Sequence, residues 1–328
     1  MQREKAMERR EYDAGALMRE HPPHWEHPNK ETVFGIACSS GDPFEGEVNY
    51  ARWQAERVSD MLEDTAGFSV REGVFDYLAS EDPNAVDWWL NFADPDLFCA
   101  YGSALMAQDE LQVAEHPVLG AVREALVEED AEHFTVARGG GPSPVTVTGA
   151  QRRCIIDTRP NPEIGCPGGL YGNAFSRASA AQVRAATRAL SPPTVSNILA
   201  MAAPEGGFGE YSRSELEDIL RTAYIGFVAA SSESKRLRGE AARPIVHTGF
   251  WGCGAFGGNR SLMTILQSLA GDLAGVELVF WTFDEEGAGI AREARGSYEA
   301  LRAKSTNVRD IIEALALTGF KWGVSDGN

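Results

Sequence analysis

A glycine-rich stretch in the C-terminal third of the chain has the composition of an anion-binding loop. Residues 248–258 read TGFWGCGAFGG, with five glycines in eleven positions. Little side chain then separates the backbone from a ligand, and the N–H groups can converge on an anion at the N-terminus of a following helix. A tight turn that buries two aromatic side chains is the alternative, and the loop alone leaves both open.

Two adjacent carboxylates, Asp109 and Glu110, are the second candidate for chemistry. They fall in a segment predicted to be a short helix that begins near Ala104 and stops before Pro117. Successive helical residues point about 100 degrees apart, so the two carboxylates face different sides of the helix. Their neighbours are largely apolar, and burial raises a carboxyl pKa toward the range of a general acid. A solvated pair with no catalytic role is the alternative.

Strands and a helix are predicted on either side of these two stretches. Residues 244–247 indicate the end of a buried strand before the glycine-rich loop. Apolar residues recur at helical spacing over 262–269 after it, with Asn259 and Ser261 as candidate N-caps. A strand is also expected over 87–93, before the carboxylates.

Composition and charge exclude several classes of function. The chain has 328 residues, of which 43% are hydrophobic and 24% charged, as in an ordinary globular protein. A net charge of -18 argues against nonspecific binding to nucleic acid or to an anionic membrane, although a local basic pocket remains compatible with it. The five cysteines have no paired spacing, which indicates neither a zinc cluster nor a disulfide framework. With no apolar leader and no membrane span, a reduced cytoplasmic location is the default expectation.

The remaining chain is predicted to form one domain after a polar arm. Residues 1–30 are polar and proline-containing, and we expect a loosely held arm, helical at most up to Arg19, followed by a single domain over 31–328. The predicted strands are 33–38, 75–78 and 279–283. The predicted helices are 50–62, 179–190, 213–227 and 311–322. The segment 159–207 is rich in proline, glycine and alanine and is interpreted as an insertion over the cleft. Trp88 and Trp89 are expected in the core.

The two chemistry-bearing stretches together resemble the poly(ADP-ribose) glycohydrolases. The diphosphate loop of that family reads TGNWGCGAFGG, and residues 248–258 match it at ten of eleven positions. The family also has F-A-N, a glycine triplet, seven residues and then Q-E-E. Aligning residues 92–94 with F-A-N places Gln108-Asp109-Glu110 on Q-E-E without a gap. Further matches lie at 151–154, 223–227 and 279–283, so the resemblance covers residues 75 to 325.

The sequence also departs from the family pattern. The glycine triplet is replaced by Phe98-Cys99-Ala100, and side chains there obstruct a close backbone approach. Phe250 and Asp94 stand where the family has Asn, and Asp109 replaces the first Glu of Q-E-E. Glu110, which matches the family's catalytic carboxylate, is retained.

The resemblance implies an α/β macrodomain-like fold of three layers with a central mixed sheet, extended at the N-terminus by helices. It implies a hydrolase of the glycosidase class that cleaves the bond at the distal ribose of ADP-ribose. Glu110 would be the acid, and Asp109 would orient a ribose hydroxyl. The substrate-binding residues would be Asp94, Gln108, Gly249, Phe250, Gly252, Cys253, Gly254, Ala255, Phe256 and Phe283. Core packing is the alternative for Phe256 and Phe283.

Three functions remain open from the sequence. The first is a glycohydrolase acting on an ADP-ribosylated small molecule, nucleotide or protein side chain; the second is a non-catalytic ADP-ribose-binding module; the third is true poly(ADP-ribose) hydrolysis. The retained Glu110 favours an enzyme over a binding module, and the lost glycine triplet favours the first function over the third. The expected partner is an ADP-ribose-containing substrate, with no cofactor, no metal, no nucleic acid and no membrane. The oligomeric state is not predicted.

Overall fold

Strands and helices alternate along most of the chain. The structure is a computed structural model that describes residues 6–54, 58–204 and 206–327. Its strands are β1 (Glu8–Asp13), β2 (Glu47–Arg52), β3 (Phe68–Glu72), β4 (Ala85–Ala93), β5 (Val145–Ile156), β6 (Thr187–Ala202), β7 (Arg243–Thr248) and β8 (Glu277–Thr282). Its α-helices are α1 (Ala14–Glu20), α2 (Pro28–Ala37), α3 (Gln108–Glu115), α4 (Val118–Glu128), α5 (Ala174–Arg177), α6 (Ala180–Ala186), α7 (Arg213–Arg238), α8 (Arg260–Ala274), α9 (Glu285–Arg302) and α10 (Val308–Thr318).

The strands form one mixed sheet in the order β1-β2-β5-β6-β4-β7-β8-β3. The half from β6 to β3 is parallel. The other half, from β1 to β6, is antiparallel. Strand β4 lies inside the parallel half, where Trp89 is opposite Ile198 of β6 on one side and His247 of β7 on the other. Its nearly continuous apolar sequence is typical of a strand covered on both faces.

Helices cover both faces of the sheet. Trp88 points to the face covered by α7 and α8, where it packs in one cluster with Phe227 and Leu266. Trp89 points to the opposite face, where it shares a cluster with Leu17 of α1 and Val122 of α4. This alternation follows from the two-residue period of a strand. The predicted three-layer α/β fold with a central mixed sheet is confirmed, as is the core position of both tryptophans. Among the described helices, none is both long and apolar enough to cross a membrane.

The parallel half of the sheet brings several loops to one edge. Strands β4, β6, β7 and β8 run in the same direction, so their last residues, Ala93, Ala202, Thr248 and Thr282, end at the same edge. The segment that leads to Glu110 follows β4, and the glycine-rich loop follows β7. Ligands of open parallel sheets bind at this edge.

The N-terminal segment differs from the loosely held arm that its polarity predicts. Residues 8–13 form β1, which pairs with β2, and α1 buries Leu17 against the sheet. The stretch 33–38 is predicted as a strand, but residues 33–37 belong to helix α2, which begins at Pro28 and has Cys38 as its C-cap. Helical spacing puts Val33 and Ala37 on one buried face, so packing overrides the strand preference of this apolar run. Residues 1–5 lie outside the described part of the chain.

Two further local predictions are wrong because tertiary pairing decides the backbone. The predicted helix 50–62 is instead strand β2 up to Arg52, held between β1 and β5, and its residues 55–57 lie outside the described residues. The predicted strand 75–78 is a loop in which Tyr77 has φ 57°, a left-handed conformation that interrupts strand pairing.

The segment 159–207 is not an insertion over the cleft as a whole. Its second half forms β6, an interior strand between β5 and β4, and residue 205 lies outside the described residues. The apolar residues 198–202 are buried there, so this half belongs to the central sheet. The helix predicted over 179–190 ends at Ala186 as α6. The other predicted elements, the strands 87–93, 244–247 and 279–283 and the helices from Asn259, 213 and 311, are confirmed with shifted ends.

Candidate active site

The loops that follow β4 and β7 meet over a cavity of about 280 Å³, here called the carboxylate cavity. Its wall includes the predicted residues Asp94, Gln108, Asp109, Glu110, Gly252, Gly254, Ala255 and Phe256. A second cavity of about 870 Å³, the wide cavity, adjoins it. Its wall includes the predicted residues Gln108, Gly249, Phe250, Cys253, Gly254 and Phe283. The fold therefore brings every residue predicted for the site to one or both of two adjoining cavities.

The side chain of Glu110 is fixed at the start of helix α3. It reaches back to accept a hydrogen bond from the backbone N–H of Ala107 at 3.0 Å, as the glutamate of a capping box does. Glu110 is only 4% exposed, and its burial raises the pKa of the carboxyl. The positive charge of Lys30 and the backbone N–H groups oppose that rise without cancelling it. A buried carboxyl that retains its proton nearer neutral pH is suited to act as a general acid.

Asp109 points to a different side of α3, as its spacing predicts. One of its oxygens accepts a hydrogen bond from the amide of the fully buried Asn91 at 2.9 Å. Burial raises the pKa of Asp109 to about 8, and the neighbouring negative charge of Glu110 adds to that rise. Both carboxyls of the pair therefore favour their protonated forms more than an exposed carboxyl does.

The side chain of Gln108 joins helix α3, which carries Asp109 and Glu110, to the central sheet. Strand β4 pairs with β7 only up to Trp89. The backbone groups of β4 after Trp89 therefore have no strand partner on the side of β7. The side chain of Gln108 accepts from the N–H of Phe92 at 2.7 Å and donates to the carbonyl of Leu90 at 3.0 Å. Its amide thus fixes the start of α3 against β4.

The loop between β4 and α3 carries the residues that replace the family's glycine triplet. Phe98 has φ 57°, a left-handed conformation that costs a non-glycine residue about 1–2 kcal/mol. Its side chain is fully buried, which offsets that cost by about 1.5–3 kcal/mol. The next two residues, Cys99 and Ala100, line the carboxylate cavity, so their side chains take space that glycines would leave open.

The glycine-rich loop is anchored by its aromatic residue and shaped by its glycines. The Trp251 indole is buried and donates to the carbonyl of Met201 at 3.0 Å. Gly252 has φ 74°, and a Cβ there would lie 2.5 Å from Ala203, so only glycine fits. The N–H groups of Ala255 and Phe256 donate to no backbone carbonyl of the described residues. These N–H groups lie beside the carboxylate cavity and are available to an anion.

A C-terminal segment lies directly on this loop. Gly323 donates its N–H to the carbonyl of Gly257 at 2.7 Å, and Asp326 donates its own to the carbonyl of Gly254 at 3.4 Å. A carboxylate oxygen of Asp326 is 3.1 Å from the position that a Cβ of Gly254 would occupy. Asp326 lines both cavities, so a negative charge of the chain itself stands at their junction.

Several further residues of this region have little or no local signal in the sequence. Tyr171 lines both cavities, and its ring packs edge-on against the 69% exposed Phe283 at 6.0 Å. Arg260 lines the wide cavity and lies 5.2 Å from the ring of Phe250. The only signal for Tyr171 was its aromatic ring in a proline- and glycine-rich segment. The only signal for Arg260 was its positive charge directly after the glycine-rich loop. Lys30, in the supposed arm, gave no signal at all. In the described part of the chain, no three His, Cys, Asp or Glu side chains are grouped to hold a metal ion.

Comparison with known proteins identifies the relatives of this chain. Residues 170–289 match the family model described as "Poly (ADP-ribose) glycohydrolase (PARG), Macro domain fold". The resemblance to the poly(ADP-ribose) glycohydrolases is confirmed. The matched residues include the glycine-rich loop and Phe283, whereas Glu110 lies outside them and is aligned by its own motif.

Individual relatives match to different extents. Poly(ADP-ribose) glycohydrolase 1 of Caenorhabditis elegans is 30% identical over 101 residues, which are 31% of this chain and 12% of that protein. This chain thus matches only a small part of that relative's length. The solved poly(ADP-ribose) glycohydrolase of Thermomonospora curvata is 16% identical, with a TM-score of 0.41 and coverage of 88% of this chain and 85% of that one. The enzyme of Deinococcus radiodurans, solved in complex with ADP-ribose, is 15% identical, with a TM-score of 0.41 and coverage of 88% and 94%.

Proposed function

We propose that this protein is an ADP-ribosyl glycohydrolase that cleaves the glycosidic bond at the distal ribose of an ADP-ribosyl conjugate. The observation that carries the proposal is the convergence of a buried carboxyl pair and a glycine-rich anion loop on one cavity. Glycosidic bonds are commonly cleaved by a carboxylic acid that protonates the leaving group, through an oxocarbenium-like transition state. The match of residues 170–289 to the poly(ADP-ribose) glycohydrolase family model supports the same chemistry.

The two cavities divide the ligand in a way that fits their linings. The diphosphate lies at their junction, against the N–H groups that follow Gly254, with the cation of Arg260 on the side of the wide cavity. The distal ribose then enters the carboxylate cavity. The adenosine enters the wide cavity, where Phe250 and Phe283 present aromatic faces.

Each carboxyl has a separate role in this mechanism. Glu110 gives its proton to the leaving oxygen or nitrogen as the bond to the anomeric carbon breaks, and it then takes a proton from the attacking water. Asp109, on the other side of α3, orients a ribose hydroxyl. Its hydrogen bond from Asn91 holds the carboxyl in one position for that role.

The loop after β4 favours a small or protein-linked leaving group over a polymer. Cys99 and Ala100 place side chains in the wall of the carboxylate cavity, where the family has glycine. They narrow the space beyond the distal ribose, in which a polymer would have to continue. Replacing Phe98-Cys99-Ala100 by three glycines is expected to move activity toward poly(ADP-ribose). Unchanged substrate preference in that variant would contradict this specificity argument.

The remaining parts of the proposal concern partners and location. A net charge of -18 supports a small-molecule or protein substrate over nucleic acid or an anionic membrane surface. Five cysteines without paired spacing support a reduced, cytoplasmic compartment. The single domain predicted over residues 31–328 remains a proposal, and we add β1 and α1 to it because β1 pairs with β2 in the same sheet.

The decisive experiment follows free ADP-ribose by mass spectrometry after incubation with ADP-ribosyl nucleotides, ADP-ribosylated proteins and poly(ADP-ribose). Release from at least one conjugate is expected. Binding is measured separately by thermal shift, where ligand at about 100 times its Kd stabilises a protein by about 2.7 kcal/mol. Stabilisation without release from any conjugate would identify a binding module, and no stabilisation at millimolar ADP-ribose would count against the site itself.

A further inference from the structure

The segment that follows helix α10 crosses the glycine-rich loop, and its residues 323–327 are here called the strap. The N–H of Gly323 donates to the carbonyl of Gly257 at 2.7 Å, and the N–H of Asp326 donates to the carbonyl of Gly254 at 3.4 Å. These two carbonyls flank the two loop N–H groups to which the proposed function assigns the diphosphate. The strap and the proposed ligand therefore use the same stretch of loop.

The strap also brings a negative charge to that stretch. One carboxylate oxygen of Asp326 lies 3.1 Å, and its carboxyl carbon 3.7 Å, from the position that a Cβ of Gly254 would occupy. Asp326 thus stands where the absence of a side chain lets a ligand approach the backbone, at the junction of both cavities. A diphosphate at this junction would meet a charge of its own sign, which disfavours occupation by both at once.

The residue before the strap is firmly anchored. The ring of Trp322 stacks on Tyr211 with 4.2 Å between the ring centroids. Its indole N–H donates to the carboxylate of Glu215 at 3.1 Å, and its backbone N–H donates to the carbonyl of Gly209 at 2.9 Å. Any movement of the strap therefore begins after Trp322.

The strap itself has little to hold it down. All five of its residues are exposed, and its one apolar side chain, Val324, is 91% exposed. At its far end, the amide of Asn173 donates to the carbonyl of Gly327 at 2.8 Å. A segment that is held by exposed hydrogen bonds and buries no apolar side chain opens at a low cost in free energy.

We propose that the strap is an internal competitor of the ligand: it covers the diphosphate loop in the ligand-free protein and must lift away, with Trp322 in place, before ADP-ribose binds. This inference deepens the proposed function and rests on its ligand and its binding site, but not on turnover. A strap that is closed in most molecules weakens the apparent affinity in proportion to the fraction that is open.

The first test follows hydrogen exchange of single amides by NMR in the wild-type protein, with and without saturating ADP-ribose. The N–H groups of Gly323 and Asp326 should exchange faster in the complex, because their hydrogen bonds to the loop are broken. The N–H of Trp322, bonded to Gly209, should keep its rate and serves as the internal control. Slower exchange in the strap would show a lid that closes on the ligand, and unchanged exchange would show no competition. Either result overturns the inference.

The second test releases the strap without changing its charge. Gly323→Pro removes the N–H that binds Gly257, and a Cβ at position 323 would also lie 3.1 Å from the Gly257 carbonyl oxygen. If the strap is closed in about nine of ten molecules, this variant should bind ADP-ribose about tenfold more tightly in calorimetry. Val324→Ala, a change to the exposed side chain of the same segment, should bind like the wild type. Unchanged or weaker binding by Gly323→Pro overturns the inference.

A double variant separates a movable strap from a fixed charge beside the site. In the wild-type background, Asp326→Asn should tighten binding about three- to tenfold. In the Gly323→Pro background, the carboxylate has already left the loop, so the same substitution should change the Kd by less than about twofold. An equal gain in both backgrounds would mean that the carboxylate acts from a fixed position, which contradicts the proposed movement.

These measurements separate the inference from the proposed function. All of them follow binding, so a wild type that binds ADP-ribose and releases none from any conjugate loses the proposed hydrolysis and keeps the strap. A wild type that releases ADP-ribose without any effect of Gly323→Pro loses only the strap. Absence of binding in both the wild type and Gly323→Pro would overturn the site and the strap together.

Discussion

Replacing Glu110 by Gln tests the proposed acid most directly, because this variant can lose the proton donor and still keep the hydrogen bond that Glu110 makes at the start of α3. Glu110 caps α3 by accepting the N–H of Ala107, and the amide oxygen of glutamine can accept the same bond. Glutamine has nearly the same shape and carries no proton that it can transfer at neutral pH. The variant therefore removes proton transfer and leaves the helix start intact.

The expected magnitudes follow from these two facts. General acid–base catalysis commonly contributes about 10²–10⁴-fold, which corresponds to about 2.7–5.5 kcal/mol of barrier. The cap is retained, so the free energy of unfolding should change little at acid pH, where the Glu110 carboxyl is protonated in both the folded and the unfolded state. As pH rises above the ordinary range of a glutamate, the variant should become the more stable protein, because burial raises the pKa of Glu110 and the folded wild type must then ionise a buried carboxyl.

The assay measures the release of free ADP-ribose from the conjugate that the wild type cleaves, together with ADP-ribose affinity. We expect kcat to fall by two to four orders of magnitude while the Kd for ADP-ribose changes by less than a few-fold. Glu110→Ala is the companion variant: it should lose the same activity and, in addition, about 0.5–1.5 kcal/mol of stability through the lost hydrogen bond from the Ala107 N–H. A release rate in Glu110→Gln equal to that of the wild type would place the acid elsewhere and refute the alignment of residues 108–110.

Three further predictions concern the neighbours of Glu110. The pKa of the Asp109 carboxyl is raised to about 8, so the stability that this group contributes is complete below pH 4 and is lost as pH rises through 8. In melting curves recorded from pH 5 to 9, Asp109→Asn should therefore lose less melting temperature with rising pH than the wild type, and an equally steep fall would contradict this prediction. Gly254→Val should abolish stabilisation by ADP-ribose, because a branched side chain would fill the junction of the cavities, whereas Gly296→Val, with no atom within 4 Å, should bind like the wild type. Asp326→Asn should tighten ADP-ribose binding about three- to tenfold in calorimetry, because it removes a negative charge beside the expected diphosphate; unchanged or weaker binding would mean that the carboxylate does not compete with the ligand.

The sequence by itself determined where the chemistry should lie. Ten of eleven loop positions match one family motif, and Gln108-Asp109-Glu110 follows residues 92–94 at the spacing of that family, so the candidate site residues could be named from local patterns. The helix and strand on either side of the glycine-rich loop could also be predicted from the sequence. Asn259 before a periodic helix and the apolar strand that ends at Thr248 are strong local signals, and the structure has both.

Only the tertiary structure decided which distant segments complete the site. Lys30 lies 71 residues before the Tyr101 carbonyl that it binds, and Asp326 reaches Gly254 from the other end of the described chain. A polar arm and a C-terminal tail carry no local pattern that reveals such contacts. The same limit explains strand β2, predicted as a helix, because its conformation depends on pairing with β1 and β5. The spacing of residues along the sequence specifies the side of a helix or strand on which a side chain lies. Long-range packing determines which other residues lie opposite that side chain, and therefore which charges surround a buried carboxyl.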